Sequence, residues 1–166
     1  MAGKDASLLE PLVEKLKLWG PLDAEDINAI NAVPSSIRRL RKGSFITREG
    51  DTPEVCALLC SGFAIRHKYS GDGARQIFSI HMRGDMVDLH NALLNWSDHN
   101  VQALTDIEIA LIPVSAIRGL VMERPQIGRP LWYETLVDGS VFREWALNIG
   151  RRDARTRLAH VLCEFG

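Results

Sequence analysis

The 166-residue chain has three cysteines, two tyrosines and no apolar run approaching the roughly 20 residues that cross a bilayer. Each scarcity excludes something. Cys56 and Cys60 lie in a strand-like run where four extended residues span roughly 13 Å, beyond disulfide reach, so they read as buried thiols of a reducing compartment. The opening Met1-Ala2-Gly3-Lys4-Asp5 has no secretory apolar stretch. The expectation is a soluble, cytoplasmic protein without membrane contact. Charge of either sign is not in excess: 20 Lys and Arg against 21 Asp and Glu leave a net charge of −1 and a pI near 6.5. A protein that grips phosphates usually carries a clear basic excess, so these residues alone are expected to bind DNA weakly or not at all. Also missing are a His-x-His pair with a nearby Glu, an ordered Ser/His/Asp set, a phosphate-cradling glycine loop and Cys-x-x-Cys. No catalytic residue and no metal ligand is assigned.

What is there is apolar content of 46%, enough for one domain-sized core without staples. Ser7-Leu8-Leu9-Glu10 has the capping-box pattern and opens a helix with Leu9, Leu12, Val13, Leu16 and Trp19 on one face, ended by Gly20. Asp23 caps a second helix with Ile27 and Ile30, stopped by Pro34. From Arg38 to Pro113 the period falls to two, as in Phe63-Ala64-Ile65-Arg66-His67-Lys68-Tyr69. Strands fit 44–48, 55–61, 63–69, 75–82, 100–105 and 107–113, with turn chemistry at Glu49-Gly50-Asp51, Ser70-Gly71-Asp72-Gly73 and Arg83-Gly84-Asp85. Short strands at regular spacing predict an antiparallel β jelly roll or barrel, mostly β with flanking helices. A helix over 114–122 follows, then a break at Arg124-Pro125 and a long apolar helix from about 129 to 149. The predicted division is 1–37 for the N-terminal helices, 38–123 for the jelly roll, 124–150 for the long helix and 151–166 for a final short helix capped by Asp153. Leu158, Leu162 and Phe165 give that last helix an apolar face with no later sequence to pack against.

The long helix carries a second message. Written as heptads, Trp132, Gly139 and Ala146 share one position and Thr135, Phe142 and Ile149 its partner, a seam in which small residues permit close approach. Leu131, Val137, Val141 and Trp145 lie outside that seam and are apolar too. A helix with apolar surface on two sides needs two partners, here its own barrel and the same helix of a second subunit, giving a homodimer. The alternative is one broad face packed onto the barrel of a monomer.

This arrangement resembles the Crp/Fnr family of bacterial transcription regulators: N-terminal helices, a cyclic-nucleotide-binding-type jelly roll, a dimerisation helix, then a winged helix-turn-helix. Four segments carry the resemblance in order: Arg41-Lys42-Gly43-Ser44-Phe45-Ile46-Thr47-Arg48-Glu49-Gly50-Asp51, Leu59-Cys60-Ser61-Gly62, Gly84-Asp85-Met86-Val87, and Arg152-Asp153-Ala154-Arg155-Thr156-Arg157-Leu158-Ala159. The resemblance implies an effector pocket around Gly84, Asp85, Met86, Val87, Leu89, His90, Asp98 and His99. It also implies a hinge at Gly150 and DNA-proximal Arg152 and Arg155, with DNA read by a domain outside this chain.

The pocket departs from the nucleotide pattern. In nucleotide-binding members Gly-Asp leads to Gly-Glu-Leu, the Glu taking the ribose hydroxyl; Leu89 stands where the Glu belongs. The later phosphate-holding Arg-Ser/Thr-Ala falls near Ser97-Asp98-His99, and no arginine lies between Arg83 and Arg118. Cyclic AMP and GMP are therefore disfavoured, Asp98 adding repulsion to the missing attraction. An iron-sulfur cluster is disfavoured as well, because no cysteine precedes Cys56. Haem stays open through His81, His90 and His99, although their nine-residue spacing favours ordinary polar histidines. Arg38, Arg39, Arg41 and Lys42 read as a solvated face. The leading expectation is a ligand-responsive transcription regulator that answers a small-molecule effector. The alternatives are a cupin-like metal-dependent enzyme and a stand-alone effector-binding module.

Overall fold

The computed structural model describes residues 7–94 and 96–165, so the expectation made on the first five residues lies outside it. Helix α1 (Glu10–Lys17) starts without the anticipated capping box: Leu9 N–H donates to Ser7 Oγ at 3.3 Å and no side chain caps the helix. Pro11 in the first turn takes over part of that role, since an N–H missing there breaks no helical bond. The capping box appears instead on α2 (Ala24–Asn31), where Asp26 N–H donates to Asp23 and Asp23 N–H donates back to the Asp26 side chain.

Seven strands form two antiparallel sheets, one in the order β1-β7-β3 and one in the order β2-β6-β4-β5. They are β1 (Ser36–Leu40), β2 (Phe45–Thr47), β3 (Val55–Ser61), β4 (Ala64–Tyr69), β5 (Arg75–His81), β6 (Asn100–Ala103) and β7 (Ile107–Pro113). β1 was hidden in the sequence by its arginines, which suit an exposed edge strand. Arg39 bonds Glu108 across the β1–β7 pair at 2.7 Å, and Asp106 accepts from Arg41 at 3.4 Å and from Lys42 N–H at 2.8 Å. The basic cluster is thus a solvated face in which Arg39 and Arg41 are ion-paired. β3 shows why alternation was muted: Ala57 and Leu59 point into the barrel core with Val101, Ile107 and Ile109, while Cys56 and Leu58 point to a second core under the helices. A strand buried on both faces has no polar side to display.

That second core joins Leu9, Leu16, Ile30, Ile112, Ile117 and Ile127 and seats α1, α2 and the C-terminal helices on one sheet. α3 (Val114–Glu123) ends where Arg124 leaves the helical region, and α4 (Pro125–Arg151) begins at once, four residues ahead of the expected start. Gly128 and Pro130 masked the helical pattern there, yet Ile127 is wholly buried. α4 continues through Gly150, and the chain turns at Arg152, whose ψ of 148° is extended. The bend expected at Gly150 therefore sits two residues later. α5 (Ala154–Glu164) is capped by Asp153, which accepts from Thr156 N–H at 2.8 Å.

α5 folds back along α4. Arg157 donates to Ile149 O at 2.8 Å and Arg152 O at 2.9 Å, satisfying carbonyls that a helix end leaves open. The Trp145 and His160 rings meet edge-on at 5.4 Å, and Phe165 meets Phe63 edge-on at 5.2 Å. Leu158 and Leu162 stay 61% and 63% exposed, so only one member of the expected apolar face finds a partner.

Candidate functional site

A cavity of about 180 Å³ lies between β4 and β5, the segment from Met82 to His90, and the inner side of α4. The backbone places these walls. Gly84, at φ +96°, turns the chain out of β5 in a conformation that side chains rarely adopt, and its N–H donates to Leu59 O at 2.8 Å. Val87 N–H then donates to Ala57 O at 2.9 Å, so the segment runs along β3 and turns Met86 toward the cavity. Ile80, Met82, Leu89, Val137 and Val141 add apolar lining.

The polar groups bind the barrel to the helices. From β4, the Arg66 guanidinium donates to Asp138 of α4 at 2.6 Å and to Val87 O at 2.8 Å. Lys15 of α1 donates to Asp85 at 2.8 Å and lies 3.8 Å from Glu134 of α4, which also accepts from Trp19 Nε1 at 2.7 Å. Burial pushes the Asp85 carboxyl up, but His81 at 3.6 Å and the Lys15 ammonium overcome it and hold the group at about 2. Burial dominates at Glu134, raising its pKa in spite of Lys15 and Trp19. With Glu164 of α5, four carboxylates face two cations around this cavity. The excess of carboxylates favours a positively charged guest over an anion.

Of the residues expected in the effector pocket, Asp85, Met86, Leu89 and His90 line this cavity. Gly84, Val87, Asp98 and His99 do not: Val87 is packed in the barrel core, Asp98 is exposed, and His99 is buried behind the wall. The nine-residue spacing carries no strand-parity argument, because the three residues share no strand. His81 ends β5, His90 sits in the 3-10 turn Leu89–Ala92, and His99 precedes β6. Sequence reasoning missed Arg66, Lys15, Glu134 and Asp138. The signal available for Arg66 was a charged residue in mid-strand beside His67, both of them buried.

The far side of α4 is uncovered. Trp132 is 63% and Phe142 48% exposed, Thr135 and Ala146 are open, Gly139 and Ile149 half-buried, and Leu136 and Leu147 extend the stripe. Leu131 and Trp145 are buried against the chain's own body, with Val137 and Val141 half-buried beside the cavity. The separation is incomplete: Thr135 of the expected seam also lines the cavity, and the Phe142 ring meets Phe78 of β5 edge-on at 5.6 Å. Of the two DNA-proximal arginines, Arg155 is exposed and Arg152 bonds Glu144 at 2.7 Å; the neighbouring Arg157 is consumed at the α4 terminus.

Comparison with known proteins matches residues 37–124 to the cyclic nucleotide-binding domain. Curated relatives include a probable transcriptional activator of Rhizobium leguminosarum, 27% identical over 125 residues, covering 75% of this chain and 51% of the relative. Another is the transcriptional activator Anr of Pseudomonas protegens, 30% identical over 128 residues, covering 77% and 50%. The chain spans about half the length of these relatives. Among solved structures, FixK2 of Bradyrhizobium japonicum superposes with a TM-score of 0.72 at 24% identity, over 80% of this chain and 66% of that one. The N-terminal domain of a Streptomyces coelicolor transcriptional regulator superposes at 0.60 and 17% identity, over 90% of this chain and all of that one. The antiparallel jelly roll with flanking helices is therefore the shared fold, and the chain belongs to the cyclic nucleotide-binding domain family, with transcriptional activators of the Crp/Fnr type as its relatives.

Proposed function

We propose that these 166 residues are the sensing and dimerising part of a ligand-responsive Crp/Fnr-type transcription regulator, a cytoplasmic homodimer that controls DNA binding and carries out no catalysis. One observation carries the reading: α4 lines the cavity with Glu134, Asp138 and Val141, bares Trp132 and Leu136 on its opposite side, and between the two sets Phe142, 48% exposed, rests edge-on against Phe78 of β5 at 5.6 Å. A guest that repositions the inner side moves the outer one, and a dimer interface there converts occupancy into a change of posture. In this reading DNA recognition is assigned outside these 166 residues, which span about half the length of the curated relatives. No helix among the described residues is long and apolar enough to cross a membrane. The seam is tested by Phe142→Glu with Ile149→Glu, expected to give a folded monomer in sedimentation. A dimer of unchanged affinity would remove the assignment.

The effector in this reading is a small neutral or cationic molecule. A cyclic nucleotide does not fit the residues present: Arg66, the buried guanidinium at the cavity, is already held by Asp138, and the remaining carboxylates oppose a phosphate. Calorimetry with cyclic AMP and cyclic GMP is expected to show no micromolar binding, and such binding would overturn this choice. The three thiols, at Cys56 on β3, Cys60 on β3 and Cys163 on α5, are free and do not converge as an iron-sulfur cluster requires.

A further inference from the structure

We propose that Asp88, His90 and His99 form a binding site for one divalent first-row transition-metal ion. Three pieces of backbone bring them together: Asp88 precedes the 3-10 turn, His90 lies within it, and His99 leads into β6. A ligand atom from each lies within 4.8 Å of the other two, and His99 Nε2 is 3.7 Å from Asp88 Oδ1. Metal–ligand bonds of about 2.0–2.2 Å place neighbouring ligand atoms roughly 3–3.5 Å apart, so the Asp88–His99 pair is within a few tenths of an ångström of that spacing. His90, the least buried of the three, supplies the remaining movement by turning its ring.

The burial and bonding of these atoms point to an ion. Asp88 is 1% and His99 5% exposed. Asp88 Oδ1, His90 Nε2 and His99 Nε2 are all buried without a hydrogen-bond partner, an arrangement that native interiors avoid. The opposite atom of two of the ligands is occupied: Asp88 Oδ2 accepts from Thr47 Oγ1 at 2.5 Å, and His99 Nδ1 lies 2.6 Å from Asp98 Oδ1. A carboxylate behind a histidine fixes the ring and leaves Nε2 aimed at the metal. The nearby guanidinium of Arg66 is balanced by Asp138, so the local field does not exclude a cation. Two imidazoles and one carboxylate, without a thiolate, select ions such as Zn²⁺, Fe²⁺ or Co²⁺ over Mg²⁺ and Ca²⁺. His90 also lines the α4 cavity, so a coordination position beyond the three protein ligands would open toward it. The site rests on these residues and not on the regulatory reading.

The test uses the full, tag-free chain after chelator treatment, titrated separately with Zn²⁺ and Co²⁺ alone. One ion per chain is expected, with visible d–d bands from Co²⁺ and a rise in Tm with Zn²⁺. His90→Ala and His99→Ala should each weaken binding by more than about tenfold, and His160→Ala on α5 should leave it unchanged. Asp88→Asn should weaken binding likewise; should it fail to fold, His90→Gln at the cavity margin, which leaves the buried carboxylate in place, carries the same expectation. Binding no tighter than millimolar, or binding that survives both histidine substitutions, would overturn the site.

Discussion

Asp85 shows how a single residue ties the cavity together and sets an acid limit on stability. Its carboxylate accepts from Lys15 Nζ at 2.8 Å and from Met82 N–H at 3.0 Å, with His81 Nδ1 at 3.6 Å. The native group titrates at about 2 against an ordinary 3.8, so between those values the unfolded chain binds more protons than the folded one. Stability from this group is complete above about pH 4 and is lost as pH falls toward 2. The gap corresponds to about 2 kcal/mol at roughly 1.4 kcal/mol per pH unit. Asp85→Asn should therefore lower the urea-unfolding free energy by about 2 kcal/mol at neutral pH, and the difference from wild type should shrink between pH 4 and pH 2. A difference that stays constant across that range would show that the ion pair is not its source.

At the scale of elements, α5 is held by few contacts and none of its residues is fully buried. Arg157, bonding Ile149 O and Arg152 O, is the polar clamp between α5 and α4. Arg157→Ala removes two hydrogen bonds worth about 1 kcal/mol each. Amide exchange in α5 should then accelerate about tenfold or more while β3 and β7 keep their protection. Equal loosening of barrel and helix would show that α5 is part of the main cooperative unit. The elements themselves were largely legible in the sequence, because strand turns, the Arg124-Pro125 break and the Asp153 cap are local chemistry. β1 was not, since Arg38 and Arg39 on an exposed edge do not alternate in the expected way. The cavity was half legible: the run from Asp85 to His90 is contiguous, whereas Lys15, Arg66 and Glu134 come from three distant elements and meet only in the tertiary fold. The Asp88–His90–His99 cluster was obscured for the same reason, its members following neither a His-x-His pattern nor a common strand.

For the whole molecule, both cores close within one chain. The barrel core gathers Leu59, Val101 and Ile109, and the helix-side core gathers Leu16, Ile30, Leu58 and Leu131, without any seam residue of α4. Folding is thus separable from the proposed pairing: the apolar stripe through Trp132, Leu136 and Phe142 is surface that a second subunit would cover on a unit already folded. A ligand, metal or second subunit that binds only the native state raises Tm by mass action. If the seam is a dimer interface, the wild-type Tm should rise with protein concentration. The Phe142→Glu, Ile149→Glu variant should instead melt cooperatively at a Tm independent of concentration, with its far-ultraviolet circular dichroism unchanged. Calorimetric scans over a hundredfold concentration range check both. A wild-type Tm that does not move would mean the stripe stays open to solvent, and a variant without a cooperative transition would mean that the stripe belongs to the fold of the single chain.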